Sequence, residues 1–205
     1  ISIDKKTTDK NILNRLNPFS LDIEDLFLIS LAKSFRNTLY FNRSNPKYGL
    51  EFTMQQSQQK VLLSNGTDTR NQNTQNFVAR NNLNEVLASK ILLERNIRES
   101  QSSYLSTKNF KIESYTATPE IAYQPTTKLR FTGNYSYSHK QNLFAPQIIP
   151  GQEPGVREEA VFHELGLDTR LSQVSKRTVT ATIKYIRIAF TGDENSAVGY
   201  EILNT

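Results

Sequence analysis

The sequence predicts an all-β fold: an antiparallel meander of about eight or nine long strands, forming a β-barrel or part of one, with a large open sheet or a β-sandwich as the alternative. Three observations predict it. Apolar and polar residues alternate with a period of two along much of the chain. The clearest case is Lys128 to Lys140, where Leu129, Phe131, Gly133, Tyr135, Tyr137 and His139 fill one set of positions and Arg130, Thr132, Asn134, Ser136 and Ser138 the other. Successive side chains of a strand point to opposite faces, so this spacing makes one greasy face and one wet face; a helix would mix the two sets. Polar turn-forming clusters recur between such stretches. Finally, the longest apolar run, Leu26 to Ala32, is far short of the ~20 residues a membrane helix needs.

Composition narrows the function classes. The chain has 205 residues, enough for one sizeable domain or two small ones. Its hydrophobic content of 37% lies below the about 45–50% usual for globular domains, although that range counts Gly and this figure counts Tyr. Asn, Gln, Ser and Thr fill the deficit, so the chain has a thin core, long wet loops, or apolar surface covered by lipid or a partner. The net charge is +5, but Lys and Arg are interleaved with Asp and Glu rather than gathered on one patch, which speaks against a nucleic-acid partner. The absence of Cys excludes disulfides, thiolate metal sites and cysteine nucleophiles.

The elements follow in order. Residues 1–33 read as an irregular N-terminal linker or loop region, with the apolar Leu26 to Leu31 as a short buried strand or irregular segment, and residues 34–205 as the antiparallel β domain. Phe35, Asn37, Leu39 and Phe41 share one face of a strand, Asn42 to Lys47 turns around Pro46, and Tyr48, Leu50, Phe52 and Met54 share a face of the next. The polar stretch from Ser64 to Gln75, with its Asn65-Gly66 signal, reads as a loop, and Phe77 to Val86 as a further strand. Leu87 to Ile97 fits both a strand and a helical stripe; the alternating neighbours favour the strand.

Phe110 to Tyr123 reads as a strand in which Pro119 implies an edge, a bulge or a break. Gln124 to Thr127 then turns into the 128–140 strand. Phe144 to Gly155, with its Pro and Gly, is a long loop. Val161 to Leu171 alternates again, a turn covers Ser172 to Lys176, and Thr178 to Thr191 forms another strand. In that strand the apolar set changes face near Tyr185-Ile186, as a bulge or a change of environment requires. Gly192 to Asn195 turns, and Ala197 to Leu203 reads as the start of one more strand.

At about 3.3 Å per residue the 128–140 strand spans roughly 40 Å, and aromatics near one end with basic residues at both ends suit an outer-membrane β-barrel strand. Arg95 and Arg187 are the sequence evidence against it, since each interrupts an apolar row at a cost of ~2–4 kcal/mol if it faces mid-bilayer lipid.

Three phrases resemble a known group. These are Arg36 to Arg43 followed by Pro46 to Leu50, Tyr123-Gln124-Pro125 leading into the Tyr135-Ser136-Tyr137-Ser138 strand, and Tyr185 to Ile188 with Gly199 to Leu203. Together they are similar to the C-terminal region of large, poorly characterised outer-membrane or cell-surface β-proteins of Bacteroidota, over most of residues 30–205. The resemblance implies a bacterial outer-membrane or cell-surface location and a structural, conduit or docking role. It implies no enzyme activity. Members of that group are expected to run on past the Tyr200-Glu201-Ile202-Leu203 phrase into further strands, so the β domain is expected to be incomplete at its C-terminus.

No chemistry assembles in the sequence. His139 and His163 lie on separate strands, and His163 and Glu164, being adjacent, face opposite ways and do not share a ligand shell. Glu158-Glu159 and Asp193-Glu194 sit beside turns, with nothing to make them converge across a cleft. No phosphate-cradling loop or nucleophile elbow occurs. The tripeptides at Asn42, Asn65 and Asn134 match the glycosylation pattern, a match that arises often by chance. The expectation is therefore non-enzymatic, with no catalytic, cofactor or metal residue and no cofactor. The residues that matter are a shielded apolar strand face, covered by lipid or core: Leu129, Phe131, Tyr135, Tyr137, Tyr48, Leu50 and Phe52. The expected partners are outer-membrane lipid or other envelope proteins, with glycan as a further candidate. The alternative is a soluble β-sandwich module that binds glycan or peptide through its aromatic face.

Overall fold

Strands need no buried core at every position; they need neighbours whose backbone groups complete the ladder. That principle governs this chain. In the computed structural model, which describes residues 2–7, 28–105, 109–144, 157–173 and 177–204, nine strands form one sheet in strict sequence order, every pair antiparallel. They are β1 (Ser2–Thr7), β2 (Leu28–Phe41), β3 (Tyr48–Leu63), β4 (Gly66–Asn82), β5 (Leu87–Ser102), β6 (Phe110–Thr126), β7 (Leu129–Asn142), β8 (Glu159–Gln173) and β9 (Arg177–Thr191), followed by helix α1 (Ala197–Asn204). Among the described residues the sheet does not close: β1 pairs with β2 and β9 with β8, and neither pairs with the other. The all-β meander is as the alternation predicts. All nine strands share a single sheet, so the described residues do not form the two packed sheets of a sandwich.

Several boundaries differ from the sequence reading. The sheet begins inside residues 1–33, because Ser2–Thr7 pairs with Leu28 to Ser34. The polar stretch 66–75 is strand rather than loop. It pairs with β3 on one side and, from Asp68, with β5 on the other, and its side chains bond across strands, as Thr74 Oγ1 does with Asn96 Oδ1 at 3.3 Å. Only Ser64 and Asn65 remain as the turn, with Gly66 taking a φ of 150° that side chains rarely adopt. Leu87–Ser102 is strand throughout, settling the helix–strand ambiguity.

Pro119 sits in an interior strand, opposite Ile91 of β5. The ladder to β7 skips Thr118 and Pro119 but resumes in the same register, so Pro119 marks neither an edge nor a bulge. The change of face at Tyr185-Ile186 also involves no bulge: the β8–β9 register is unbroken. It reflects different surroundings on the two sides. The expected loop from Phe144 to Gly155 lies outside the described residues from 145 onward, as do residues 174–176 of the Ser172–Lys176 turn.

Ala197–Asn204 is a helix, not a strand. Ser196 caps it: its Oγ accepts from the Gly199 N–H at 2.8 Å, the N-cap bond that satisfies a first-turn amide. Gly199 packs so closely on the Asp193 carbonyl that a Cβ has no room there.

The register fixes the lean of the strands. One unbroken row of pairs runs Leu39, Phe52, Phe77, Leu93, Ala117, Tyr137, His163, Arg187. Leu39 is two residues from the end of β2 and Arg187 ten from the start of β9, so the strand ends step by eight residues over seven pairings. With about 3.3 Å per residue and about 4.8 Å between strands, that is an inclination of roughly 40°, within the ~35–45° of β-barrels.

The connections differ at the two ends. At the end holding Phe41 and Tyr48 the links are short: 42–47, 83–86, 127–128 and 174–176. Asn45 Oδ1 accepts the Lys47 N–H at 2.8 Å, the Arg80 guanidinium binds the Arg43 carbonyl at 2.5 Å, and Asn84 Oδ1 accepts the Val86 and Leu87 N–H groups at 2.9 and 2.7 Å. At the other end the β3–β4 turn, 64–65, is as short, while the links 103–109 and 143–158 are longer and α1 follows β9.

Candidate functional site

The sheet has two unlike faces, and the pairing assigns every strand residue to one of them. On the first face lie Leu39 and Phe41 of β2, Leu50 and Phe52 of β3, Phe77 and Ala79 of β4, Ile91 and Leu93 of β5, Ile121 and Tyr123 of β6, Phe131 and Tyr135 of β7, Leu165 and Leu167 of β8, and Val179 and Ile183 of β9. Once the step of the strand ends is allowed for, these residues form a band beginning at the short-turn end, interrupted by Asn37, Asn81, Ser89 and Thr169 and bounded by Gln75 and Arg95 level with Tyr115. On β6 and β7 it runs eight residue steps, from Tyr123 to Tyr115 and from Leu129 to Tyr137. At the inclination above, that is about 20 Å of height before flanking side chains are counted.

Among the described residues, protein does not cover this band. Leu129 is half-buried, and Phe131, Tyr135, Tyr137, Tyr48, Leu50 and Phe52 are 38–50% exposed. The seven residues expected to share a shielded face do share one, but a protein core does not shield it among the described residues. Buried apolar residues are few there: Leu31, Ile112, Ala160 and Ile202. The chain exposes 14610 Å², half again the roughly 9,700 Å² expected of a compact 23.4 kDa monomer. Single apolar residues on a surface need no explanation; a contiguous patch across eight strands does.

Aromatic residues edge the band. Phe41, Tyr48, Tyr123 and Phe131 lie toward the short-turn end, with Tyr123 stacked on Phe131 at 6.4 Å. Tyr115, Tyr135, Tyr137 and Tyr185 lie toward the other margin, where Tyr135 Oη bonds His163 Nδ1 at 2.6 Å and the Tyr137 ring meets the His163 ring at 5.4 Å. Because Phe131 keeps one ring neighbour and no closed cavity around it, Phe131→Ala is expected to cost about 0.5–1.5 kcal/mol, the size of an aromatic pair, rather than the ~3–5 kcal/mol of a filled core. Equilibrium denaturation of the two proteins checks this.

Beyond that margin the same face turns polar. Arg95 donates to Glu113 from Nη2 and Nε at 2.7 and 2.8 Å, and Tyr115 Oη and Gln141 Nε2 donate to the same carboxylate at 2.7 and 3.3 Å. His139 lies 3.6 Å from Glu159. Arg187 is two residues past Tyr185. Arg95 and Arg187 do interrupt their apolar rows, as expected: Arg95 stands between Leu93 and Ile97 on this face, level with Tyr115 and paired with Glu113, and Arg187 between Tyr185 and Ala189.

The second face is hydrophilic. Thr38 pairs with Thr53 at 3.1 Å, Thr116 with Ser138 and Thr118 with Ser136 at 3.0 Å each, and Thr182 donates to Asp168 at 2.6 Å. Lys184 meets Glu164 at 3.0 Å. His163 and Glu164 point to opposite faces with separate partners, as their adjacency requires. Near the long-connection end this face carries α1, where Ile202 is fully buried against Ile112 and Ala160, with Phe110, Phe162, Phe190 and Val198 around them. Phe190 in this cluster accounts for part of the change of face in β9. Lys140 donates to the Ile202 carbonyl at 3.0 Å with its ammonium 4.4 Å from the Phe162 ring. Glu158 accepts from Ser196 Oγ and Asn142 Nδ2 at 2.5 and 3.3 Å, so it braces the helix start.

Sequence reasoning missed α1 and its cluster; Ser196 followed by Val198 and Ile202 four residues apart was the available signal. Among the described residues no three His, Asp or Glu side chains gather as metal ligands. No family model, no curated protein and no solved structure matches the chain.

Proposed function

We propose that the chain is part of a bacterial outer-membrane β-barrel, non-enzymatic, whose apolar face lies against lipid and whose polar face lines a water-filled interior. The observation that carries this reading is the uncovered apolar band, which runs across the sheet and follows the strand inclination. Its height of about 20 Å compares with ~25 Å for the outward apolar band of such barrels, and the aromatic margins correspond to their girdles. The links at one end are all short, and two of those at the other, 103–109 and 143–158, are longer, which suits periplasmic and extracellular sides, with the two-residue turn 64–65 as the departure. Arg95, neutralised by Glu113, lies at the aromatic margin level with Tyr115, and Arg187 falls two residues beyond Tyr185, so neither carries a bare charge at mid-band. The resemblance to Bacteroidota envelope proteins agrees with this placement, and the role it suggests is structural, a conduit or a docking wall. The test is to express the full chain with bacterial phosphatidylethanolamine vesicles. It should stay with the vesicles through an alkaline carbonate wash; a chain that remains monodisperse in buffer without detergent or lipid would remove the membrane reading.

A second reading, a soluble module that stacks glycan on its aromatic face, draws on exposed Tyr135 and Tyr137 beside His163. Glycan-array binding abolished by Tyr135→Ala and Tyr137→Ala would favour it.

A further inference from the structure

Arg130 and Arg170 stand directly opposite each other on β7 and β8, on the polar face near the short-turn end. Like charges opposite one another across two strands are destabilising. Both side chains are exposed, and neither guanidinium has an acidic partner among the described residues. The two carboxylates on this face of β7 and β8 are engaged elsewhere: Asp168 accepts from Thr182 Oγ1 at 2.6 Å and Glu164 meets Lys184 at 3.0 Å.

The backbone singles out Arg130 a second time. Gln124 and Pro125 together face Arg130 alone, between the Tyr123–Phe131 and Thr126–Leu129 pairs. A bulge of this kind breaks the ladder and re-aims the side chain beside it. Toward β6 and β5, Arg130 lines a hollow of about 540 Å³ whose apolar walls are Pro46, Leu83, Val86, Ala88 and Ala122. The walls are held in place: the Asn82 N–H donates to the Lys47 carbonyl at 2.6 Å and the Gln124 N–H to the Val86 carbonyl at 2.7 Å. Small-molecule sites of about 300–1,000 Å³ combine such apolar walls with a few placed polar groups.

We propose that the hollow and the arginine pair form a binding site for a phosphate monoester with a compact apolar body. Around the site Lys47, Lys128, Arg130 and Arg170 stand against Glu85 and Asp168, four cations to two carboxylates. A dianionic phosphate matches that excess of two charges, and a carboxylate matches half of it. A phosphate also has oxygens enough to accept from both guanidiniums, whereas one bidentate arginine saturates a carboxylate. The apolar body lies against Leu83, Val86 and Ala88. This site goes beyond the membrane reading, because the polar face meets water whether the sheet lines a barrel or stands alone, and titration in solution does not depend on which.

Isothermal titration calorimetry of the full chain in nonionic detergent, with phenyl phosphate, inorganic phosphate and phenol as separate titrants, tests it. Phenyl phosphate is expected to bind one per chain, at least tenfold more tightly than inorganic phosphate or phenol. Arg130→Gln and Arg170→Gln should each weaken it tenfold or more, with strand content by circular dichroism unchanged. Should either disturb the fold, Ala122→Leu keeps both charges and narrows the hollow; it should weaken phenyl phosphate tenfold and leave inorganic phosphate unaltered. Arg36→Gln, at an exposed arginine of the same face on β2, is the control and should change nothing. Absence of saturable binding, equal binding of phenyl phosphate and inorganic phosphate, or a loss at Arg36→Gln equal to that at Arg130→Gln would overturn the site.

Discussion

Leu93→Arg is expected to destabilise the inserted sheet by about 2–4 kcal/mol, while Leu92→Arg, one residue away, changes stability by less than about 0.5 kcal/mol. The two residues are chemically identical and share a strand, so propensity and side-chain size cancel. Only the face differs. Leu93 lies near the middle of the band, opposite Phe77 and Ala117, and is 41% exposed. A guanidinium there meets hydrocarbon and has no carboxylate within the row. Leu92 lies on the polar face opposite Val78 and Thr118, with Lys90 and Glu94 on the same side of the strand. A charge there stays hydrated. Urea unfolding of both variants in lipid vesicles measures the pair. A soluble sheet whose apolar face stands in water would tolerate both changes about equally.

Ile202→Ala is the second large effect, expected at about 2–5 kcal/mol against the docking of α1. Ile202 is fully buried between the helix and the Ile112–Ala160 floor, where truncation leaves a cavity that the flanking rings of Phe162 and Phe190 only partly fill. The helix is only eight residues long and has little stability of its own, so the loss appears as local opening rather than unfolding of the sheet. Amide exchange in residues 197–204 should rise by two orders of magnitude or more, with exchange in β7 and β8 little changed. Tyr200→Ala, at a residue 63% exposed on the same helix, is the control and should leave exchange nearly unaltered.

The alternation between Leu129 and His139 was enough to assign strand and face, because a pleat allows one arrangement once one side is greasy and the other wet; the pairing register came only with the neighbouring strands. Residues 66–75 carried no such contrast. Both of their faces are polar, and what makes them strand is pairing with partners that sequence periodicity does not reveal. Ala197 to Asn204 misled for a different reason: Val198, Tyr200 and Ile202 satisfy a period of two, while Val198 and Ile202 alone satisfy a helical turn. Arg95 does interrupt its apolar row, as the sequence reads; what the sequence hides is its partner Glu113, 18 residues away and a neighbour only when the β5–β6 register is known.

The absence of Cys makes single-cysteine scanning clean. One cysteine at a time across residues 128–139, in the chain reconstituted into vesicles, tests directly whether the apolar face meets lipid. Each site is probed twice, with a water-soluble thiol reagent and, after attachment of a fluorophore, with brominated lipid as quencher. Positions 129, 131, 133, 135 and 137 should resist the reagent and be quenched by the lipid, with positions 130, 132, 134, 136 and 138 labelled and unquenched. Labelling at every position, or protection without lipid quenching at the odd ones, would contradict the account.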